Sequence, residues 1–323
     1  MVHGSGTAAP STPELSWSNV GLAFGFILFD AGISAYFRLG IGRSLVVAAT
    51  RCMLQLAFAA LLLQKVFEAR STWSVAAITC LLNFLSTFEA VVNKAKRRHD
   101  YMFLSTLIGM LCSSIPVSVI GAQYAMAADP FWEPAQYIPI VGMLCGSTVS
   151  GIVVSIGYAL KEISENRDKV QMYLAFGASR MEASQPIAVE ALVLALTPVI
   201  NQMSVLGLIA ISGMMTGAIL GGASVQQAAK LQTIIMFMIS ASTTLGSIFA
   251  TLSGLSVVID DEHRIRPDRI ESKPHFVWRA RSKGIRYIIS SAHRVQLRTR
   301  AYFAGKYPRS ADADGVENRG LAL

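Results

Sequence analysis

Seven long apolar stretches, at residues 20–37, 44–64, 73–92, 101–128, 137–160, 187–211 and 231–258, constrain this chain more than any other feature. Each comes close to the roughly 20 residues that a helix needs to cross the hydrocarbon core of a bilayer. The predicted fold is therefore all-α: a polytopic integral membrane protein with about seven transmembrane helices. Composition agrees. Of 323 residues, 53% are hydrophobic and only 15% charged, against about a quarter charged in a soluble protein. A soluble domain of this size would need more polar surface, so the apolar excess must face lipid. The first 19 residues are rich in Pro, Ser and Thr and hold no Lys or Arg. A cleavable leader wants a basic start, so the run from Val20 is read as a span that stays in the membrane.

Lys and Arg alternate between linkers. Arg38 and Arg43 occupy the first, Lys94 to Arg98 the third, and Lys161, Arg167, Lys169 and Arg180 the fifth; from Asp260 onwards there are 14 Lys or Arg against 8 Asp or Glu. The second, fourth and sixth linkers are poor in them. The positive-inside rule then predicts an outside N-terminus and a cytoplasmic C-terminus, which needs an odd number of spans. Residues 187–229 are apolar enough for two spans, but two would break that parity. One span followed by a membrane-level or re-entrant segment at Gly213–Gly222 is expected, with its backbone buried in protein or lining a cavity. The predicted organisation is a disordered terminus at 1–19, a permease-like membrane domain at 20–258 with a charged linker at 161–186, and a basic cytoplasmic tail at 259–323, helical over 276–303. That tail suits an anionic leaflet, and no folded nucleic-acid motif accompanies it.

Ionisable residues within spans are costly and invite a functional reading. Asp30 and Arg51 both fall roughly 10 Å inside the same face at 1.5 Å rise per residue, close enough to pair. Gln55 lies one turn beyond Arg51, and Glu89 lies nearer the surface. A structural ion pair and a transport path are equal alternatives for this group. In the fifth span, Gly142 and Gly146 stand at GxxxG spacing beside Ser147, Thr148 and Ser150. Close helix packing is the plain reading of such a stripe and a polar pathway the sharper one; Asn201 in the sixth span has the same two readings. The four cysteines lie in apolar runs and read as small packing residues.

The linker 161–186 is the most informative stretch. Residues 161–176 read as one amphipathic helix, broken at Gly177-Ala178. Ser179-Arg180-Met181-Glu182 then has the form of a capping box for a new short helix, and Pro186 either stops that helix or opens the sixth span. A helix–turn–helix hung from the membrane is the kind of element with which a permease docks into a separate ATPase. The chain itself carries no G-x-x-x-x-G-K-[ST], no HExxH, GxSxG or CxxC, and no histidine within a span. It is read as a non-enzyme with no metal site and no cofactor of its own; ATP belongs to a partner.

Between Thr50 and Val258 the residues resemble the FetB-type permease family, which takes in bacterial iron-export permeases and plant aluminium-tolerance half-transporters. The resemblance rests on Thr50-Arg51 with Gln55-Leu56, Glu89-Ala90 before the basic loop, Ile138-Pro139-Ile140-Val141-Gly142-Met143, and Leu174-Ala175-Phe176-Gly177-Ala178-Ser179. It rests above all on Gly213-Met214-Met215-Thr216-Gly217 followed by Ile219-Leu220-Gly221-Gly222. Ser212 and Ala218 stand where the family often has proline and glutamine, and Ser147 and Ser150 where it has asparagines. The resemblance implies an ABC-type permease, with iron export in the bacterial members and a nucleotide-sugar or metal-tolerance role in the plant members. A homodimer in the lipid bilayer of a plasma membrane or endomembrane is expected, because one seven-span chain is small for such a translocation path and each ATPase needs a docking site. The resemblance also implies an ATP-binding cassette subunit docked at Leu174, Gly177, Ala178, Ser179, Arg180 and Glu182. The transport path would then draw on Asp30, Arg51, Gln55, Glu89, Ser147, Ser150, Asn201, Met214, Met215 and Thr216. The competing readings are an ion-gradient-driven secondary transporter and a non-transporting membrane scaffold.

Overall fold

The computed structural model describes residues 16–69, 71–95, 97–99, 101–207, 209–260, 265–266 and 270–271. The expected tail helix at 276–303 lies outside the described residues. Nine α-helices are described: α1 (Trp17–Tyr36), α2 (Gly42–Ala69), α3 (Thr72–Phe88), α4 (Met102–Ile120), α5 (Pro134–Glu165), α6 (Arg167–Ala175), α7 (Arg180–Val205), α8 (Gly213–Leu220) and α9 (Val225–Val258). Seven of these elements are long and apolar enough to cross a membrane, as the hydropathy pattern predicted. Two add a π-helical turn at their C-terminal ends, Glu89–Lys94 after α3 and Gly121–Ala125 after α4. Two short strands, β1 (Arg98–His99) and β2 (Ile270–Glu271), pair antiparallel.

The described residues form two compact units, divided between Ala76 and Ala77. In the first, α1 and α2 pack as a hairpin. Phe37 ends α1, Arg38 takes a left-handed φ of 54°, and the Leu39 N–H returns to Ser34 O at 2.9 Å. Gly42 then starts α2 so close to α1 that a Cβ there would lie 3.0 Å from Ala31 O. Phe26, Phe29, Phe58 and Leu61 are exposed on this hairpin, the disposition expected of side chains that meet lipid rather than water.

In the second unit α9 is central and packs against α4, α5 and α7, with α8 along it. Its core joins Ile140 and Leu144 of α5, Val199 of α7, and Ile235, Met236, Met238 and Ile239 of α9. Hydroxyls tie the helices together: Thr148 of α5 bonds Ser242 of α9 at 3.0 Å, Ser114 of α4 donates to Asn83 Oδ1 of α3 at 2.6 Å, and Ser118 of α4 bonds Tyr137 of α5 at 2.9 Å. The close approaches occur where glycine removes a side chain. A Cβ on Gly246 would lie 2.4 Å from Thr148 Cγ2, and one on Gly151 2.6 Å from Ser247 Oγ.

Three expectations need correction. The Gly142 and Gly146 pair does not seat a helix of this chain, because a Cβ at either would meet nothing within 4 Å. The seat lies one to two turns further on, at Gly151. Of the cysteines only Cys145 is buried; Cys52, Cys80 and Cys112 are exposed on their helices. The linker does not hold one helix followed by a short one. α5 runs on to Glu165, Asn166 interrupts it, and α7 continues without a break through Pro186. Pro186 lies inside α7, where it removes one i→i−4 hydrogen bond without ending the helix.

Candidate functional site

The α6–α7 turn is built from three residues with no slack. Gly177 adopts φ +89°, the left-handed region in which a Cβ is strained. Its N–H reaches Leu174 O at 3.1 Å, and the Ala178 N–H reaches Tyr173 O at 3.0 Å. Those two bonds together make a Schellman C-cap. Ser179 then accepts the Glu182 N–H on its hydroxyl at 3.3 Å, while Glu182 Oε2 accepts the Ser179 N–H at 2.8 Å. The capping box read from the sequence is formed. Backbone groups at both helix ends are thus satisfied, and the turn holds its shape outside the bundle.

The same device occurs a second time. Gly222 has φ +94°, its N–H meets Ile219 O at 3.0 Å, and the Ala223 N–H meets Ala218 O at 3.0 Å. Ser224 then caps α9 by accepting the Gln227 N–H. Both turns read Gly-Ala-Ser in sequence, at 177–179 and 222–224. The tripeptide therefore encodes a helix connector and not, by itself, a docking element. What sets the first turn apart is the surface around it: Phe176 is 84% exposed, with Met172, Tyr173 and Met181 exposed beside it. Of the residues assigned to coupling, Leu174, Ala178 and Arg180 are half-buried supports, while Gly177, Ser179 and Glu182 form the exposed outer edge.

A half-open cavity of about 360 Å³ is lined by residues of α7, α8, α9 and the segment between α7 and α8. Met203, Leu206, Ile211, Met215, Met236 and Phe237 give it apolar walls, with Gln232 and Thr233 as polar side chains. Within the Gly213–Gly222 segment, Gly213–Leu220 is helical, not the non-helical backbone expected, and Gly221-Gly222 form the turn after it: Ser212 caps α8 by accepting the Met215 N–H at 3.3 Å. The same Ser212 hydroxyl donates to Gln232 Oε1. Met214 packs on the α5–α9 core, and the Thr216 hydroxyl returns to Ser212 O at 3.1 Å.

The other pathway candidates are not gathered here. Asp30 is exposed on α1, and Arg51 and Gln55 on α2, all within the first unit. Glu89 is half-buried where α3 passes into its π-turn and accepts from Asn93 Nδ2. Ser147 is half-buried on α5, the exposed Ser150 is bonded to Gly146 O, and Asn201 is exposed on α7. Sequence reasoning missed Ser212 and Gln232 as a bonded pair, and also Arg98. This buried guanidinium donates to Val91 O at 2.6 Å and Val92 O at 2.9 Å, so it binds the carbonyls of the π-turn. A basic residue directly after a helix end was the available signal.

Against known proteins, the model of a family described as uncharacterised, UPF0014, matches residues 17–258. A UPF0014 membrane protein of Synechocystis is 30% identical over 241 residues, 74% of this chain and 92% of the relative. The Arabidopsis thaliana protein ALUMINUM SENSITIVE 3 is 30% identical over 227 residues, covering 70% and 81%. The Escherichia coli protein described as the probable iron export permease FetB is 22% identical over 255 residues, covering 79% and 96%. No solved structure matches the chain.

Proposed function

Since this multi-pass membrane chain belongs to the UPF0014 family, we propose that it is the membrane-spanning permease subunit of an ABC-type transporter whose ATP-binding subunit is a separate protein. The observation that carries this reading is the α6–α7 turn. Its backbone is fixed by a Schellman cap and a capping box, and its tip presents Phe176, Tyr173, Met172 and Met181 outward. A rigid, aromatic-tipped projection is what a helix-in-groove contact needs, and exposed aromatics mark the centres of such contacts. ATP hydrolysis then resides on the partner.

The names of the relatives point to iron export and to aluminium sensitivity, so metal export or metal tolerance is the proposed physiological setting. Two copies would supply two docking turns, one for each ATPase. A second copy also gives a use to the open face of α5, where Gly142, Gly146 and Gly157 leave space for another helix to approach.

Co-purification tests the proposal. The chain isolated from its native membrane should retain an ATP-binding protein in equal number, and alone it should hydrolyse no ATP. Flux through liposomes that contain only this chain would favour the ion-gradient reading instead.

A further inference from the structure

The cavity between α7, α8 and α9 has a polar end built on the hydrogen bond between Ser212 and Gln232. The Ser212 hydroxyl accepts the Met215 N–H and donates its own proton to Gln232 Oε1. The amide oxygen is thereby engaged. The amide NH2 has no protein partner among the described residues, although Gln232 is only 9% exposed and lines the cavity. The Thr233 hydroxyl already donates to Ala229 O at 2.9 Å. Thr233 thus faces the space with acceptor lone pairs only, the Gln232 NH2 is the side-chain donor left to an occupant, and the other lining side chains are thioether, aliphatic and aromatic carbon.

We infer that this cavity binds an uncharged, largely apolar molecule that carries a hydrogen-bond acceptor oxygen, such as an ester or ketone carbonyl, on the Gln232 NH2. Three observations select that class. No carboxylate, imidazole or thiolate lines the space, so a hard cation finds no ligand and an anion finds no counter-charge. A volume of about 360 Å³ matches a small organic molecule, not a bare ion. An NH2 donor set in an otherwise apolar wall favours an occupant with an acceptor oxygen over a plain hydrocarbon. Met203, Met215 and Met236 are unbranched and polarisable, suited to packing around a body of variable shape. Ser212 acts as a positioning residue, because it settles which end of the amide faces the ligand. The inference rests on the cavity alone and does not require the permease reading.

The test uses the full chain and two diazirine probes of equal length, a fatty-acid methyl ester and the matching hydrocarbon, with labelled peptides mapped by mass spectrometry. The ester should label the segments around residues 203–211 and 229–237 about three- to tenfold more than the hydrocarbon. Gln232→Leu and Ser212→Ala should bring that ratio to about one, with hydrocarbon labelling retained as evidence of an intact fold. Ser212→Asn, whose side chain can cap α8 and still donate to Gln232, should keep the preference. Labelling in lipid-free detergent compared with phosphatidylcholine nanodiscs separates the sources: suppression by phosphatidylcholine identifies bilayer esters as the occupants, and unchanged labelling a free neutral molecule. Equal labelling by both probes in the native chain would overturn the inference. So would an unchanged ester preference in Gln232→Leu, or full protection by Ag⁺, which would make the methionines a soft-cation site.

Discussion

Ser179 and Glu182 hold each other's backbone: the serine hydroxyl accepts the glutamate N–H, and the glutamate carboxylate accepts the serine N–H. Removing the serine side chain frees the first turn of α7. Ser179→Ala should lower the thermal midpoint by a few degrees and reduce retention of the ATP-binding subunit. Glu182→Gln, which can still serve in a capping box, should preserve both, whereas Glu182→Lys should lose the partner. Pull-down yield measured beside thermal unfolding separates the two effects.

The twin Gly-Ala-Ser turns supply an internal control. Gly177→Ala and Gly222→Ala each place a Cβ in left-handed backbone, at a cost of about 1–2 kcal/mol. The two variants should lose similar stability. Only Gly177→Ala should lose the ATP-binding subunit. Equal loss of the partner in both would mean that the docking reading of the first turn reflects general destabilisation.

Phe176 separates surface from scaffold. At 84% exposure it contributes little to folding, so Phe176→Ser should leave the unfolding midpoint unchanged. If its ring fills a cleft on the partner, affinity should fall at least about tenfold, as for a central aromatic anchor. Titration of the purified ATP-binding subunit against the reconstituted chain reads this directly.

Glycine packing gives a contrast within the membrane region. A methyl at Gly246 collides with Thr148 across the α5–α9 contact, so Gly246→Ala should destabilise by about 1–3 kcal/mol through overpacking. Gly142→Ala enters open space and should leave the monomer at least as stable, by up to about 1 kcal/mol from the better helix propensity of alanine. If α5 is the contact between copies, Gly142→Leu should shift the assembly toward monomer on size-exclusion chromatography coupled to light scattering.

The spans were legible because their signal is a sum over some twenty residues, which no single neighbour can reverse. The capping box and the Gly177 turn were legible because caps are local. Features that depend on partners distant in sequence were not. Gly142 and Gly146 have the spacing of a packing motif, but spacing does not say which face of α5 meets α9, and the contact falls at Gly151 instead. Ser212 reads in sequence only as a departure from a proline, and its bond to Gln232, twenty residues on, appears only once α8 folds along α9. The second Gly-Ala-Ser was visible as letters, yet its meaning required the dihedrals. The π-turn after α3 leaves no periodic trace, since it is a single changed turn in an otherwise regular helix.

The strand pair at Arg98–His99 and Ile270–Glu271 moves the place where this protein can be cut. Beyond Val258 the chain does not leave at once: Ile259 bridges Ile265, the Arg266 N–H bonds Val258 O, and Arg266 pairs with Asp260 at 3.1 Å. A truncation designed on hydropathy would stop at 258, strip these contacts and bare the edge of β1. A truncation after 271 keeps them. Scissors placed at those two positions ask different questions, one about the integrity of the membrane core and one about the basic extension alone.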